Sequence, residues 1–136
     1  MNKGNILDIK LKKVGLRIHP KCKEELLEIY GRFHDRNLCI SQYEARLRYM
    51  EDNIRTFRNR TKWYDPLKSN TKFNKIKFIN AKEPNLRILF YVTDDNPTVV
   101  ILLSAFEEKS GKNGRAIEYK DAAVIAESRL KEVLNG

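Results

Sequence analysis

An α+β fold is predicted by three observations. Three stretches between Lys72 and Ala105 are strand-like and separated by loop signals, the first two alternating with a period of two, which predicts an antiparallel meander. Two earlier stretches, Pro20 to Phe33 and Gln42 to Thr61, carry apolar residues at steps of three and four, which predicts a helix hairpin packed on that sheet. A strand before the hairpin and a helix after the meander complete the arrangement.

Taken in order, Ile9, Leu11, Val14, Leu16 and Ile18 give the N-terminal segment from Ile6 to Ile18 the pattern of a half-buried strand, broken near Lys12-Lys13 or Gly15. His19-Pro20 opens the first helix, because proline suits the first helical position, and Cys22, Leu26, Ile29 and Phe33 form its apolar stripe. Residues His34 to Ile40 read as a turn. Ser41-Gln-Tyr-Glu44 matches a capping box, and Tyr43, Leu47, Met50, Ile54 and Phe57 continue a second helix until Trp63-Tyr64-Asp65-Pro66 ends it. Strands are then predicted at Lys72 to Ile79, Leu86 to Thr93 and Thr98 to Ala105, joined by a loop containing Pro84 and by the turn Asp94-Asp95-Asn96-Pro97. The last strand is almost continuously apolar from Val99 to Leu103, which predicts cover on both faces. Phe106 to Glu118 reads as a mobile, basic, glycine-containing loop, and Tyr119, Ala123, Ala126, Leu130 and Val133 place a helix at about Lys120 to Leu134.

A length of 136 residues fits one domain spanning the chain. With 27 Lys and Arg against 18 Asp and Glu, the net charge of +9 favours polyanionic partners, nucleic acid before an anionic membrane. The surplus is local. Ser41 to Phe90 holds 12 basic and 5 acidic residues, whereas Tyr91 to Gly136 holds 6 and 8. Cys22 and Cys39 have no metal spacing and make no disulfide framework, so they read as reduced thiols of a cytoplasmic protein. No run approaches the ~18 apolar residues of a membrane span, and no apolar signal segment follows the first residues.

The chemistry is expected in the meander. Lys75 and Lys77 alternate with Ile76 and Phe78, so both ammonium groups stand on one strand face, and Arg87 stands among Leu89 and Tyr91 on the next strand. If the strands pair, three positive charges converge. The blander alternative is a solvated face that protects an edge. His19 and His34 are expected to cap helices, Cys22 to pack, and Trp63 and Tyr64 to fill the gap between hairpin and sheet. No metal, nucleotide or catalytic-triad motif is visible.

The element order resembles the RelE/ParE superfamily of bacterial toxins, and the middle of the chain is similar to it at residue level. Lys75-Ile-Lys77 and Arg87-Ile-Leu-Phe-Tyr91 resemble the strand motifs of the RNA-cleaving RelE-like members. Ile101-Leu-Leu-Ser-Ala-Phe106, Lys109, Lys112 and Ala126-Glu-Ser-Arg129-Leu130 resemble the last strand, lysine-rich loop and closing helix of the HigB-like branch. The resemblance implies a RelE-like fold and the toxin of a type II toxin-antitoxin system. It implies an endoribonuclease that cuts messenger RNA on the ribosome, needs no metal or cofactor, and is restrained by a cognate antitoxin. In that reading Lys75 and Lys77 supply base and electrostatic support, Arg87 clamps phosphate, Arg115 or else Lys112 is the acid, and Tyr119 orients. Lys72, Lys109, Lys112, Arg55 and Arg58 are then RNA contacts. Two alternatives stay open: a ParE-like toxin that binds DNA gyrase without nuclease chemistry, and a non-catalytic RNA-binding domain of the same fold.

Overall fold

The computed structural model describes residues 6–108 and 112–136, with the side chains of 112–118 excepted. The chain is α+β. Five strands, β1 (Gly15–Ile18), β2 (Tyr64–Pro66), β3 (Asn74–Lys77), β4 (Leu86–Val92) and β5 (Val99–Glu107), form one mixed sheet in the order β1-β5-β4-β3-β2. β1 runs parallel to β5, and the other pairings are antiparallel. Helices α1 (Pro20–Gly31) and α2 (Arg36–Asp52) cover one face, and α3 (Lys112–Asn135) covers the other.

Alternation along the strands explains the two cores. Leu86, Ile88 and Phe90 of β4 point to α1 and α2, where Cys22, Leu26, Ile29, Tyr43, Leu47 and Met50 meet them. Leu89 points the other way, to Ala123, Ala126 and Leu130 of α3. β5 lies between two strands and is buried on both faces from Val100 to Ala105, as its apolar run predicts. A bulge interrupts it. The register slips between Leu89, opposite Ser104, and Phe90, opposite Leu102, so Leu103 is the extra residue and alternation beyond it is displaced.

Several boundaries differ from expectation, each for a local reason. Among the described N-terminal residues, strand structure is limited to Gly15–Ile18; before it Leu7, Leu11 and Val14, at steps of four and three, reach the core. Helix α2 starts six residues early because the Asp35 carboxylate caps it, accepting from the Leu38 N–H at 3.0 Å. Ser41 therefore lies inside the helix, its hydroxyl donating back to the Leu38 carbonyl. The helix ends at Asp52, well before Thr61. Phe57 keeps its helical spacing from a 3-10 turn, Phe57–Asn59, and packs on Tyr64 and Phe90. The short strand β2 was not expected; its proline fits an edge position, where a missing N–H costs nothing. Where a mobile loop was expected from Phe106 to Glu118, β5 runs on to Glu107 and α3 already begins at Lys112.

At the α1–α2 link the caps are Arg32 and Asp35, so His34, expected to cap a helix, lies between them, whereas His19 caps as expected. His19 caps α1, its Nδ1 accepting from the Lys21 N–H at 3.1 Å. The Glu83 carboxylate, in the β3–β4 loop, accepts from the His34 and Asp35 N–H groups at 2.8 Å each and ties the α1–α2 link to the sheet. Among the described residues no helix is long and apolar enough to cross a membrane.

Candidate functional site

Strand pairing brings the cations together. Lys77 lies opposite Arg87 across β3 and β4, Lys75 opposite Leu89, and Asp65 of β2 opposite Lys75. Ile76 and Phe78 point into the α1–α2 core, so Lys75 and Lys77 necessarily share the α3 face with Arg87. Tyr119, about two turns into α3, closes over them: its ring centre lies 4.0 Å from the Lys75 Nζ. Lys75, Lys77, Arg87 and Tyr119 are thus adjacent.

Two carboxylates complete the cluster. Asp65 Oδ2 stands 3.8 Å from Lys75 Nζ and 3.7 Å from Lys77 Nζ. Glu108, just beyond β5, accepts from Arg87 Nη2 at 2.8 Å through one oxygen and from the Tyr119 hydroxyl through the other. Arg87 Nη1 donates to the Phe78 and Leu86 carbonyls at 3.2 and 3.1 Å. The guanidinium is therefore buried and held in place, and its Nε is buried without a protein partner.

Burial sets the proton affinities. Lys75 is held below the usual lysine range by loss of water, which outweighs the opposing pull of Asp65. Tyr119 is pushed above its ordinary range, first by burial and then by its bond to Glu108. A buried lysine with a lowered pKa is closer to neutral than an exposed one and can take a proton more readily at moderate pH. The side chains of Lys75 and Lys77 are only 14% and 17% exposed, and both ammonium groups face the same Asp65 carboxylate.

The remaining expected contacts divide. Lys72 pairs with Glu127 of α3 at 2.6 Å on the same side as the cluster. Arg58 does not join it: its Nε donates to Asn74 Oδ1 at 3.0 Å and its guanidinium lies over Phe57, both belonging to the α1–α2 side. Arg55 is exposed in the turn after α2. Arg46 of α2 is buried between the Trp63 and Phe78 rings and donates to the Lys77 carbonyl at 2.8 Å. Lys109 lies outside the described residues, as do the side chains of Lys112 and Arg115.

Asp65 and Glu108 were missed as site residues. Asp65 precedes a proline and so is biased to extended backbone, the one available sign of a further strand. Glu108 carried no usable sign, because the bulge at Leu103 alters which residues of that strand end share the Arg87 face.

Comparison of the chain with protein-family models, with curated proteins and with solved structures gives no match.

Proposed function

We propose that this α+β protein is a RelE-like, metal-independent endoribonuclease, the toxin of a type II toxin-antitoxin system, acting in the cytoplasm on messenger RNA at the ribosome and restrained by an antitoxin. The observation that carries the reading is the meeting of Lys75, Lys77, Arg87 and Tyr119 on one sheet face. Cleavage by a ribose 2'-hydroxyl needs a base for its proton, positive charge for the phosphorane and an acid for the leaving oxygen. Lys75, with its lowered pKa, takes the proton; Lys77 supports the developing charge; Tyr119 orients the reacting phosphate. Arg87 acts differently from a free clamp. The phosphate takes the place of Glu108, exchanging one anion for another on the same guanidinium nitrogen. Arg115, or Lys112, supplies the proton to the leaving oxygen.

Induction in a bacterial host, with RNA recovered and mapped at nucleotide resolution, tests the reading. Growth arrest with new cleavage sites in messenger RNA is expected, and the double change Lys75→Ala plus Arg87→Ala should abolish both. Intact cleavage by that variant would remove these residues from the site.

One observation favours a second reading. Glu108 already engages Arg87 Nη2 and the Tyr119 hydroxyl, as suits a cluster that holds the fold while the protein acts by binding alone. Inhibition of gyrase supercoiling, or tight RNA binding with undamaged transcripts, would identify that case.

A further inference from the structure

Beyond the residues of the cation cluster, this basic chain also carries an acidic surface. Between α1 and α3, beside the C-terminal half of β5, runs a groove of about 700 Å3. Glu24 and Glu28 of α1, Glu107 of β5 and Asp121 of α3 stand along it. Arg32 is the one cation among its described lining residues, and it is paired with Glu28 and Glu107. Ala122 and Ile125 of α3 give the groove an apolar side, with Ile125 left 40% exposed. In a chain of net charge +9, this is a strongly complementary surface for a cation.

The groove also follows an open strand edge. β1 pairs with β5 only from Val99 to Leu102, so Leu103 to Glu107 have no strand on that side among the described residues. The Phe78 N–H donates to the Leu86 carbonyl, which turns Leu86 toward β3 and Arg87 toward β5. Phe106, opposite Arg87, then turns toward β4, and the backbone groups of Ala105 and Glu107 turn toward the groove. Side chains cover part of this edge. Glu25 accepts from the Ala105 N–H at 3.1 Å, Arg129 donates to the Leu103 carbonyl at 2.9 Å, and the two are joined by bonds of 2.7 and 3.0 Å. The Ala105 carbonyl and the Glu107 N–H have no such side-chain cover among the described residues.

We propose that this groove takes an extended, lysine- or arginine-bearing peptide of a partner protein, which adds as a strand beside Leu103 to Glu107. The peptide backbone takes over the Ala105 N–H and the Leu103 carbonyl from Glu25 and Arg129, which keep each other as partners. Its alternate side chains then place cations against Glu24 and Glu28 of α1 on one face of the sheet and small apolar groups against Ala122 and Ile125 of α3 on the other, with Asp121 adding to the negative rim. Backbone pairing supplies affinity, and the acidic rim selects the sign of charge. The inference is independent of the RNA reading, because none of these residues belongs to the Lys75 cluster.

The test uses the full chain, labelled with 15N, and a capped peptide of about eight residues alternating lysine and valine. Expected are saturable binding, shifted and protected amides at Ala105 and Glu107, and weakening of about tenfold or more by Glu24→Lys plus Asp121→Lys. A matching glutamate–valine peptide should not bind, nor should the lysine peptide carrying N-methyl groups on the edge that pairs. Absence of binding overturns the proposal, as does equal binding of either control peptide. Sedimentation of the protein alone provides a further check: self-association abolished by the same two substitutions would mean that a second copy fills the groove, and the proposal would fall.

Discussion

The Lys75 ammonium lies 4.0 Å from the centre of the Tyr119 ring, and this contact joins β3 to α3 over the cationic face. It also keeps water from the lysine, which is why burial is the leading cause of its lowered pKa. The sign follows from proton linkage. The unfolded chain, with lysine at its ordinary 10.5, binds a proton more tightly than the folded one. Lys75 thus penalises folding at neutral pH, and the penalty fades as pH rises through its folded pKa. NMR titration of the Lys75 Nζ should give a midpoint below 10.5, and Tyr119→Ala, which admits water, should move it upward. An unmoved midpoint would show that the ring does not set the environment. In the nuclease reading, activity should rise with pH until Lys75 has titrated.

Arg87 and Glu108 form a buried pair, with side chains 7% and 13% exposed. Removing one member leaves the other charge uncompensated, so Glu108→Ala should cost about 3–5 kcal/mol of stability. Glu108→Gln keeps one acceptor for Arg87 and turns its amide N–H toward the Tyr119 hydroxyl oxygen, so it should cost less. Urea unfolding with an unchanged slope reads both values. A loss under about 1 kcal/mol for the alanine variant would mean that solvent screens the pair as it does at a surface.

The cap of α1 gives a smaller effect. His19 satisfies the Lys21 N–H through Nδ1, so His19→Ala should destabilise by about 1 kcal/mol, whereas His19→Asn, a preferred capping residue, should recover most of that. Thermal unfolding of the two variants side by side separates capping from packing. Equal losses would assign the effect to the buried ring instead.

What the sequence disclosed and what it hid differ in range. Lys75, Lys77 and Arg87 were legible because each is fixed by alternation within its own strand, and adjacent strands of a meander pair by default. Tyr119 joined them only through the resemblance, since nothing local says where a helix will dock. The start of α2 was misplaced because Ser41-Gln-Tyr-Glu44 and Asp35 both offer caps, and the earlier one prevails by adding helix that buries Cys39. Burial of Arg46 was hidden for a different reason. An arginine on an amphipathic helix reads as solvated, and only the tertiary approach of Trp63 and Phe78 makes its interior position favourable.

Arg46 therefore carries the last prediction. Its guanidinium lies 4.6 Å from the Trp63 ring centre and 5.1 Å from that of Phe78, while Nε donates to the Lys77 carbonyl at 2.8 Å. Lysine has no planar fork to stack between two rings and no rigid donor at that position, so Arg46→Lys should destabilise by about 1–3 kcal/mol despite the conserved charge. Arg46→Met retains apolar bulk but orphans the Lys77 carbonyl, at a cost of about 1–3 kcal/mol. Trp63 is the sole tryptophan, so its emission reports the packing directly. Both variants should shift it to the red under native conditions. Because the lost bond is the one that fixes β3 to α2 at Lys77, an RNA-cleaving protein should also lose turnover in Arg46→Met while its α1 cap and β5 amides stay unperturbed by NMR. Native emission and full stability in Arg46→Lys would reduce the residue to a solvated charge that happens to lie between rings.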